Sequence, residues 1–253
     1  FEALARWRRS PVGVVPPIEF IPIAESRGLI GSLGLSILRK SLAQLAEWQQ
    51  LDERARSLFL SLNVSPVQAR DSGHLDLLIA ALDSSGVPPR NVKVELTESV
   101  FLDLTEEARQ RIISLHDRGV HLMLDDFGTG YSSLNHLREL PFEGLKVDRS
   151  FVVQADQSER GRVLVESIAS LARALSMKSV AEGVETEAQR SMLTGAGYDY
   201  LQGYLFGRPM PCASIQISDL LDSSDRNSGE HRLNGEGHQG ALVGVRRPVA
   251  KTG

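Results

Sequence analysis

Cysteine is nearly absent: Cys212 is alone among 253 residues. That excludes an internal disulfide and a cysteine-ligated zinc site, and it points to a reducing compartment, the cytoplasm. Cys212 itself reads as a packing residue. No apolar run approaches the roughly 18–20 residues that cross a bilayer, and the first residues lack the charged-then-apolar order of a secretory leader. The segment is expected to be soluble, whether or not a longer parent protein is membrane-anchored. Basic charge is not in excess either. With 28 Lys and Arg against 32 Asp and Glu, the formal net charge is −4, so no positive field exists to track a phosphate backbone and duplex nucleic acid is not an expected partner. The six histidines form no pair at metal-ligand spacing on a helix, and Trp7 and Trp48 read as packing residues. There is no internal repeat.

What remains is an apolar fraction of 42% in a chain of the usual length for one (β/α)₈ barrel. Strand-like runs alternate with longer amphipathic stretches, the pattern of parallel α/β folds. Seven strands are expected near residues 1–6, 57–63, 92–97, 121–125, 144–148, 178–182 and 199–203. Helices are expected from Pro17 to Arg27, where proline stands in the first turn, over the periodic stretch from Ile30 to Leu51, and from Thr105 to Asp117. Thr186 and Gln189 have capping-box spacing and start another helix. Seven strands are one short of a closed barrel, and the first begins at Phe1, so the fold is expected to lack its first strand in this chain. Residues 1–222 read as the folded domain. From Ser223 the periodic apolar content disappears, and residues 223–253 are expected to be a disordered tail.

Residues 125–133 read Asp-Asp-Phe-Gly-Thr-Gly-Tyr-Ser-Ser directly after the apolar run Val120-His121-Leu122-Met123-Leu124. An isolated Asp-Asp would as readily cap a helix or turn. Here, however, polar groups recur at the ends of the other strands: Glu2, Asn63, Glu95 and Glu98, Lys146 and Asp148, Glu182 and Glu185, and Gln202. The carboxyl ends of the strands are where such barrels assemble their active sites. Five carboxylates (Glu2, Glu95, Asp125, Asp126 and Glu182) face one clear basic partner, Lys146. Buried acids in that number require cations, and two hard divalent ions, Mg²⁺ or Mn²⁺, would roughly balance them. A two-metal site of this kind serves phosphoester hydrolysis. Gly128, Thr129 and Gly130 form a flexible loop beside these acids.

In order, Glu2-Ala-Leu4 with Arg6-Trp7, Phe20-Ile-Pro-Ile-Ala-Glu25, Asn63-Val-Ser65, Glu95-Leu-Thr-Glu-Ser99, Asp125 to Ser133, Leu145-Lys-Val-Asp-Arg-Ser-Phe151, Val180-Ala-Glu-Gly-Val-Glu-Thr186 and Gln202-Gly-Tyr-Leu-Phe206 resemble the motifs of the EAL-domain cyclic-di-GMP phosphodiesterases. The resemblance runs from residue 1 to about residue 211. It implies an EAL-type, TIM-like (β/α)₈ barrel, hydrolysis of cyclic di-GMP to linear pGpG in bacterial signalling, and Mg²⁺ or Mn²⁺ as cofactor. It implies that Glu2, Asn63, Glu95 and Asp125 ligate one metal, with Asp125 bridging to a second held by Asp126 and Glu182. It gives Lys146 the attacking water and Glu98 the anchoring of the Gly128–Gly130 loop, and it makes Lys146, Glu182, Glu98 and Asp126 the catalytic set. Substrate contacts are implied for Leu4, Arg6, Asp148, Glu185, Gln202 and Pro209. A homodimer, and an upstream sensory or diguanylate cyclase domain in the parent chain, are implied as well.

Two departures stand out. Arg9-Ser10 replaces the family's usual His-Pro, away from any position that matches a catalytic residue. The family's strand upstream of Glu-Ala-Leu, with its substrate-holding glutamine, is not in these residues, so an open seam with unpaired backbone is expected. The rival reading is a non-catalytic cyclic-di-GMP receptor or interaction domain. Such domains lose metal ligands, the lysine or the loop-anchoring glutamate, and all of those positions are filled here.

Overall fold

The computed structural model describes residues 1–9, 11, 13–128, 137, 139–218, 221, 242–246 and 250–251. In chain order the elements are β1 (Glu2–Arg9), β2 (Gly13–Val15), α1 (Pro17–Ser26), α2 (Ile30–Leu51), β3 (Leu60–Val64), α3 (Pro66–Arg70), α4 (Ser72–Ser84), β4 (Val92–Thr97), α5 (Glu106–Asp117), β5 (His121–Phe127), β6 (Gly144–Val147), α6 (Arg149–Gln157), α7 (Glu159–Ala174), β7 (Lys178–Ala181), α8 (Glu187–Ala196), β8 (Tyr200–Leu201), β9 (Met210–Pro211), β10 (Leu242–Arg246) and β11 (Ala250–Lys251). Strands β1, β3, β4, β5, β6, β7 and β8 pair in that order, each parallel to the next. Helices follow most of them, giving the mainly parallel, TIM-like arrangement expected. Among the described residues no helix is long and apolar enough to cross a membrane.

Local chemistry explains the helix boundaries. Pro17 occupies the first turn of α1, where its missing N–H has no partner to lose. The Thr105 side chain accepts the Ala108 N–H at the start of α5. The capping box of Thr186 and Gln189 opens α8, and Gly197 ends it in the left-handed conformation.

Two expectations change at the carboxyl end. Within the stretch expected to be disordered, 223–253, the segments Leu242–Arg246 and Ala250–Lys251 are strands. The run Leu-Val-Gly-Val is short but apolar and β-branched, and the polar, glycine-rich composition around it hides that signal. Strand β10 pairs antiparallel with β1, from Glu2 opposite Arg246 to Arg6 opposite Leu242, and with β9 on its other side. The edge of β1 expected to be open is therefore paired. The other residues of the tail lie outside the described ones.

Inside the barrel, alternation along β4 sends Val92, Val94 and Leu96 into the core under the helices, while Lys93 and Glu95 turn inward. The Lys93 ammonium lies 3.7 Å from the Phe59 ring and 5.4 Å from that of Tyr200, filling the lower end of the barrel. One layer higher, Met123 lies across Gly144. A Cβ on Gly144 would stand 2.6 Å from Met123 Cε and 2.8 Å from the Lys178 carbonyl oxygen. The backbone contact cannot be relieved by a rotamer change. Gly144→Ala is accordingly expected to destabilise the fold by about 1–3 kcal/mol through overpacking, read as a lower denaturant midpoint at unchanged m-value. Unchanged stability would refute this account of the layer.

Candidate active site

The carboxyl ends of the strands bring most of the sequence-predicted residues together. Lys146 on β6 is 2% exposed, and its ammonium lies 2.7 Å from Glu95 Oε2 on β4, 2.7 Å from Glu182 Oε1 just past β7, and 3.3 Å from Asp125 Oδ1 on β5. Glu2 on β1 is also buried, and its two oxygens accept from Asn63 Nδ2 at 2.9 Å and Gln202 Nε2 at 2.7 Å. Seven strand ends thus feed one polar cluster. Leu4, Arg6, Asn63 and Glu95 line a common cavity of about 370 Å³ between this cluster and helices α1 and α2.

Neighbouring residues on a strand normally face opposite sides, so Asp125 and Asp126 need a special backbone to serve one mouth. Asp126 has φ +54°, in the left-handed region. Strand β5 pairs Leu124 with Leu145 and Phe127 with Val147, one extra residue on its side, which is a β-bulge. Phe127 thereby returns to its buried alignment, and Asp126 stays close enough to Asp125, Asp148 and Glu98 to feel their charge. Aspartate tolerates this conformation better than most residues.

The acids respond to their surroundings. Burial pushes the Glu95 carboxyl up to about 8 against the pull of Lys146, with Glu2 and Asp125 adding repulsion. Burial likewise takes Glu182 to about 7. Asp126 is raised, first by burial and then by Asp125 and Asp148. Burial opposes the charge on Lys146, but Glu95, Glu182, Glu2 and Asp125 outweigh it and hold the ammonium well above its ordinary range. If all four of those acids were ionised, the cluster would carry three negative charges in excess, and that repulsion adds to the larger effect of burial on the carboxyls.

All-oxygen donors of this kind, with Asn63, suit a hard divalent ion. Among the described residues no three acids or histidines are spaced around one point as a finished metal site, because the Lys146 ammonium stands between Glu95, Asp125 and Glu182. The donor chemistry and the charge deficit fit a cation, whereas the spacing in this state is set by the lysine.

The other predicted residues sit as follows. Glu98 Oε1 accepts the Gly128 N–H at 2.9 Å, and a Cβ on Gly128 would stand 2.7 Å from Phe151 Cζ, so the start of the loop is held from two sides. Thr129 and Gly130 lie outside the described residues. Asp148 accepts the Ser150 N–H at 2.9 Å as the cap of α6. Glu185 pairs with Arg149 at 2.9 Å. Pro209 is half-buried just before β9. Sequence reasoning missed Phe151 and Arg149; each stands inside a quoted motif, but its role depends on contacts with glycines far away in sequence.

The EAL domain family matches residues 1–209. Among curated relatives, the bifunctional diguanylate cyclase/cyclic di-GMP phosphodiesterase MucR of Pseudomonas aeruginosa is 38% identical over 217 residues, covering 86% of this chain and 31% of MucR. The oxygen sensor protein DosP of Escherichia coli is 39% identical over 214 residues, 85% of this chain and 26% of DosP. The chain therefore spans about a third or less of these relatives. The solved MucR phosphodiesterase in complex with c-di-GMP superposes with a TM-score of 0.77 at 38% identity, covering 83% of this chain and 84% of that one. With the family match running through every strand that supplies the cluster, this chain belongs to the EAL domain family.

Proposed function

We propose that this chain hydrolyses one phosphodiester of cyclic di-GMP to give linear pGpG, using Mg²⁺ or Mn²⁺. The observation that carries the reading is the cluster gathered around Lys146 and Glu2: Glu2, Asn63, Glu95, Asp125, Glu182 and Lys146, one from each of six strand ends. Relatives at 38% identity that are named or solved as c-di-GMP phosphodiesterases support the substrate class.

In this reading Glu2, Asn63, Glu95 and Asp125 would hold one cation, and Asp125, Asp126 and Glu182 would hold a second. When bound, such ions activate water and neutralise charge on the reacting phosphate. The chain's own groups do the rest. Lys146 keeps its proton because four acids surround it, and it offers a fixed positive charge to an anionic phosphodiester and to the oxygen that attacks it. Asn63 and Gln202 orient the Glu2 carboxylate by donating to both of its oxygens. Glu98 holds the Gly128 amide and thereby the start of the loop beside the acids. Arg6, at the wall of the cavity, is placed to meet a substrate phosphate.

The deciding experiment is incubation of the protein with cyclic di-GMP and Mg²⁺ or Mn²⁺, with and without chelator, following pGpG by chromatography. Metal-dependent pGpG is expected. Binding without turnover would make the domain a receptor instead. Asp125→Asn preserves shape and removes one negative charge, and it is expected to lower kcat by several orders of magnitude; substantial residual turnover would sink the two-metal assignment. Lys146→Ala is expected to keep nucleotide binding and lose most hydrolysis.

Asp126→Gly separates backbone from charge. Glycine adopts φ +54° freely, so the variant should be as stable as the wild type or gain up to about 1 kcal/mol while turnover falls. A fall in stability would contradict the bulge argument.

The raised carboxyls give a signed pH dependence. With Glu95 at about 8 and Glu182 at about 7, a cation must displace protons near neutral pH. Calorimetric titration of the protein with Mn²⁺, in buffers of different ionisation enthalpy, should show proton release and an affinity that weakens from pH 8 to pH 6. Affinity independent of pH would rule out these two acids as ligands.

A further inference from the structure

The segment Glu182-Gly183-Val184-Glu185 carries two of the acids at the mouth of the barrel, and its backbone is fixed from both sides. The Glu182 N–H donates to the Val147 carbonyl at 3.0 Å, and the Val184 N–H donates to the Gln202 carbonyl at 3.0 Å. The Val184 carbonyl accepts from the Leu205 N–H at 3.1 Å, and the Glu185 N–H donates to Gln189 Oε1 at 2.8 Å. Gly203 permits this closeness, since a Cβ there would fall 2.1 Å from the Val184 carbonyl oxygen.

Between the two acids lies Gly183, at φ +70°. A Cβ on it would fall 2.2 Å from Arg149 Cγ, 2.5 Å from Cβ and 2.7 Å from Cδ. The arginine stem therefore rests directly on the bare peptide. Its guanidinium then reaches Glu185 Oε1 at 2.9 Å. Arg149 is itself anchored, because it is the first residue of α6, whose cap, Asp148, accepts the Ser150 N–H. One side chain from the first turn of α6 thus lies across the loop after β7 at its one glycine, the point at which that loop would most easily bend.

We propose that Arg149 is a positioning residue of the site, fixing the loop that carries Glu182 and Glu185 by lying over Gly183 and holding the Glu185 carboxylate. The inference rests on the reading of the chain as a cyclic-di-GMP phosphodiesterase. The side chains of the pair are 59% and 39% exposed, and such pairs contribute little to stability. Its effect is on the geometry of the mouth, where Glu185 meets the substrate.

The test is steady-state kinetics of cyclic-di-GMP hydrolysis at saturating Mg²⁺ for the wild-type protein and for Arg149→Ala, Arg149→Lys, Glu185→Ala and the Arg149→Ala/Glu185→Ala double variant, each with its Tm. Arg149→Ala is expected to raise KM about tenfold with kcat changed less than about threefold, and Arg149→Lys to recover part of that loss. The double variant should be no worse than Glu185→Ala alone, with every Tm within about 2 °C of wild type. Wild-type kinetics in Arg149→Ala would overturn the proposal. So would losses that multiply in the double variant, which would make the arginine an independent substrate contact, or a Tm that falls in step with activity. If the wild type binds the nucleotide without hydrolysing it, Kd replaces KM and the same comparisons decide. A wild type that neither binds nor hydrolyses overturns the functional reading, and this inference falls with it.

Discussion

One ammonium group governs the architecture of this site. Lys146 is withdrawn almost completely from water and placed within 3.3 Å of three carboxylates from three different strand ends. Each of these ions would cost several kcal/mol to bury alone, so none of the positions is independent of the others. Removing the lysine would leave acids that repel one another, and removing an acid would leave the lysine poorly compensated. The parallel ladder is what makes the cluster possible. Glu95, Asp125, Lys146 and Glu182 lie on neighbouring strands, or just beyond them, whose register is fixed by backbone pairing from β4 to β7. Their mutual distances are therefore set by sheet geometry before any side chain adjusts.

The rest of the barrel keeps that polar end separate from an interior that must be filled. Below the cluster, Met123 lies over Gly144 and the Lys93 ammonium stacks on Phe59. Burial lowers the Lys93 pKa, an effect that Glu95 and Glu143 partly oppose, the reverse of the direction at Lys146 above it. Around the mouth, exceptions to regular strand geometry do specific jobs. The left-handed Asp126 keeps two consecutive aspartates at one mouth, and the bare backbones of Gly183 and Gly203 let neighbouring loops touch. Regular strands alone would point every second acid into the helical shell.

Local signals in the sequence had local consequences in the structure. The seven parallel strands, the span of α2 and the caps at Thr105 and Thr186 follow from periodicity and from residues three positions apart, and they stand where those signals put them. Glu2, Asn63, Glu95, Asp125, Lys146, Glu182 and Gln202 were legible as a set because strand ends of a parallel barrel share one face. The order of contacts within the set was not legible. Nothing in the spacing distinguishes Glu2, paired to two amides, from Glu95, paired to the lysine. The resemblance makes Asp148 a substrate contact, and its partner in the structure is the Ser150 amide, as the cap of α6. The handedness of Asp126, the contact of Arg149 with Gly183 and the pairing of Leu242–Arg246 against β1 all depend on partners distant in sequence, which no window of neighbouring residues contains.

The balance of charge also constrains how the site can be filled. Burial raises the Glu95 and Glu182 carboxyls to about 8 and about 7 against the pull of Lys146, so these two acids gain protons as the pH falls through neutrality. Lys146 does not participate in that exchange, because its surroundings hold its proton far more tightly. The ammonium is therefore a fixed positive charge among these acids as the pH changes around neutrality. That permanence has two opposed effects of the same physical origin. It weakens the cluster for cations by like-charge repulsion, and it strengthens it for anions. A cluster made only of acids would lack that fixed counter-charge. Placing one lysine among four carboxylates sets the compromise, and the close parallel strands keep it there.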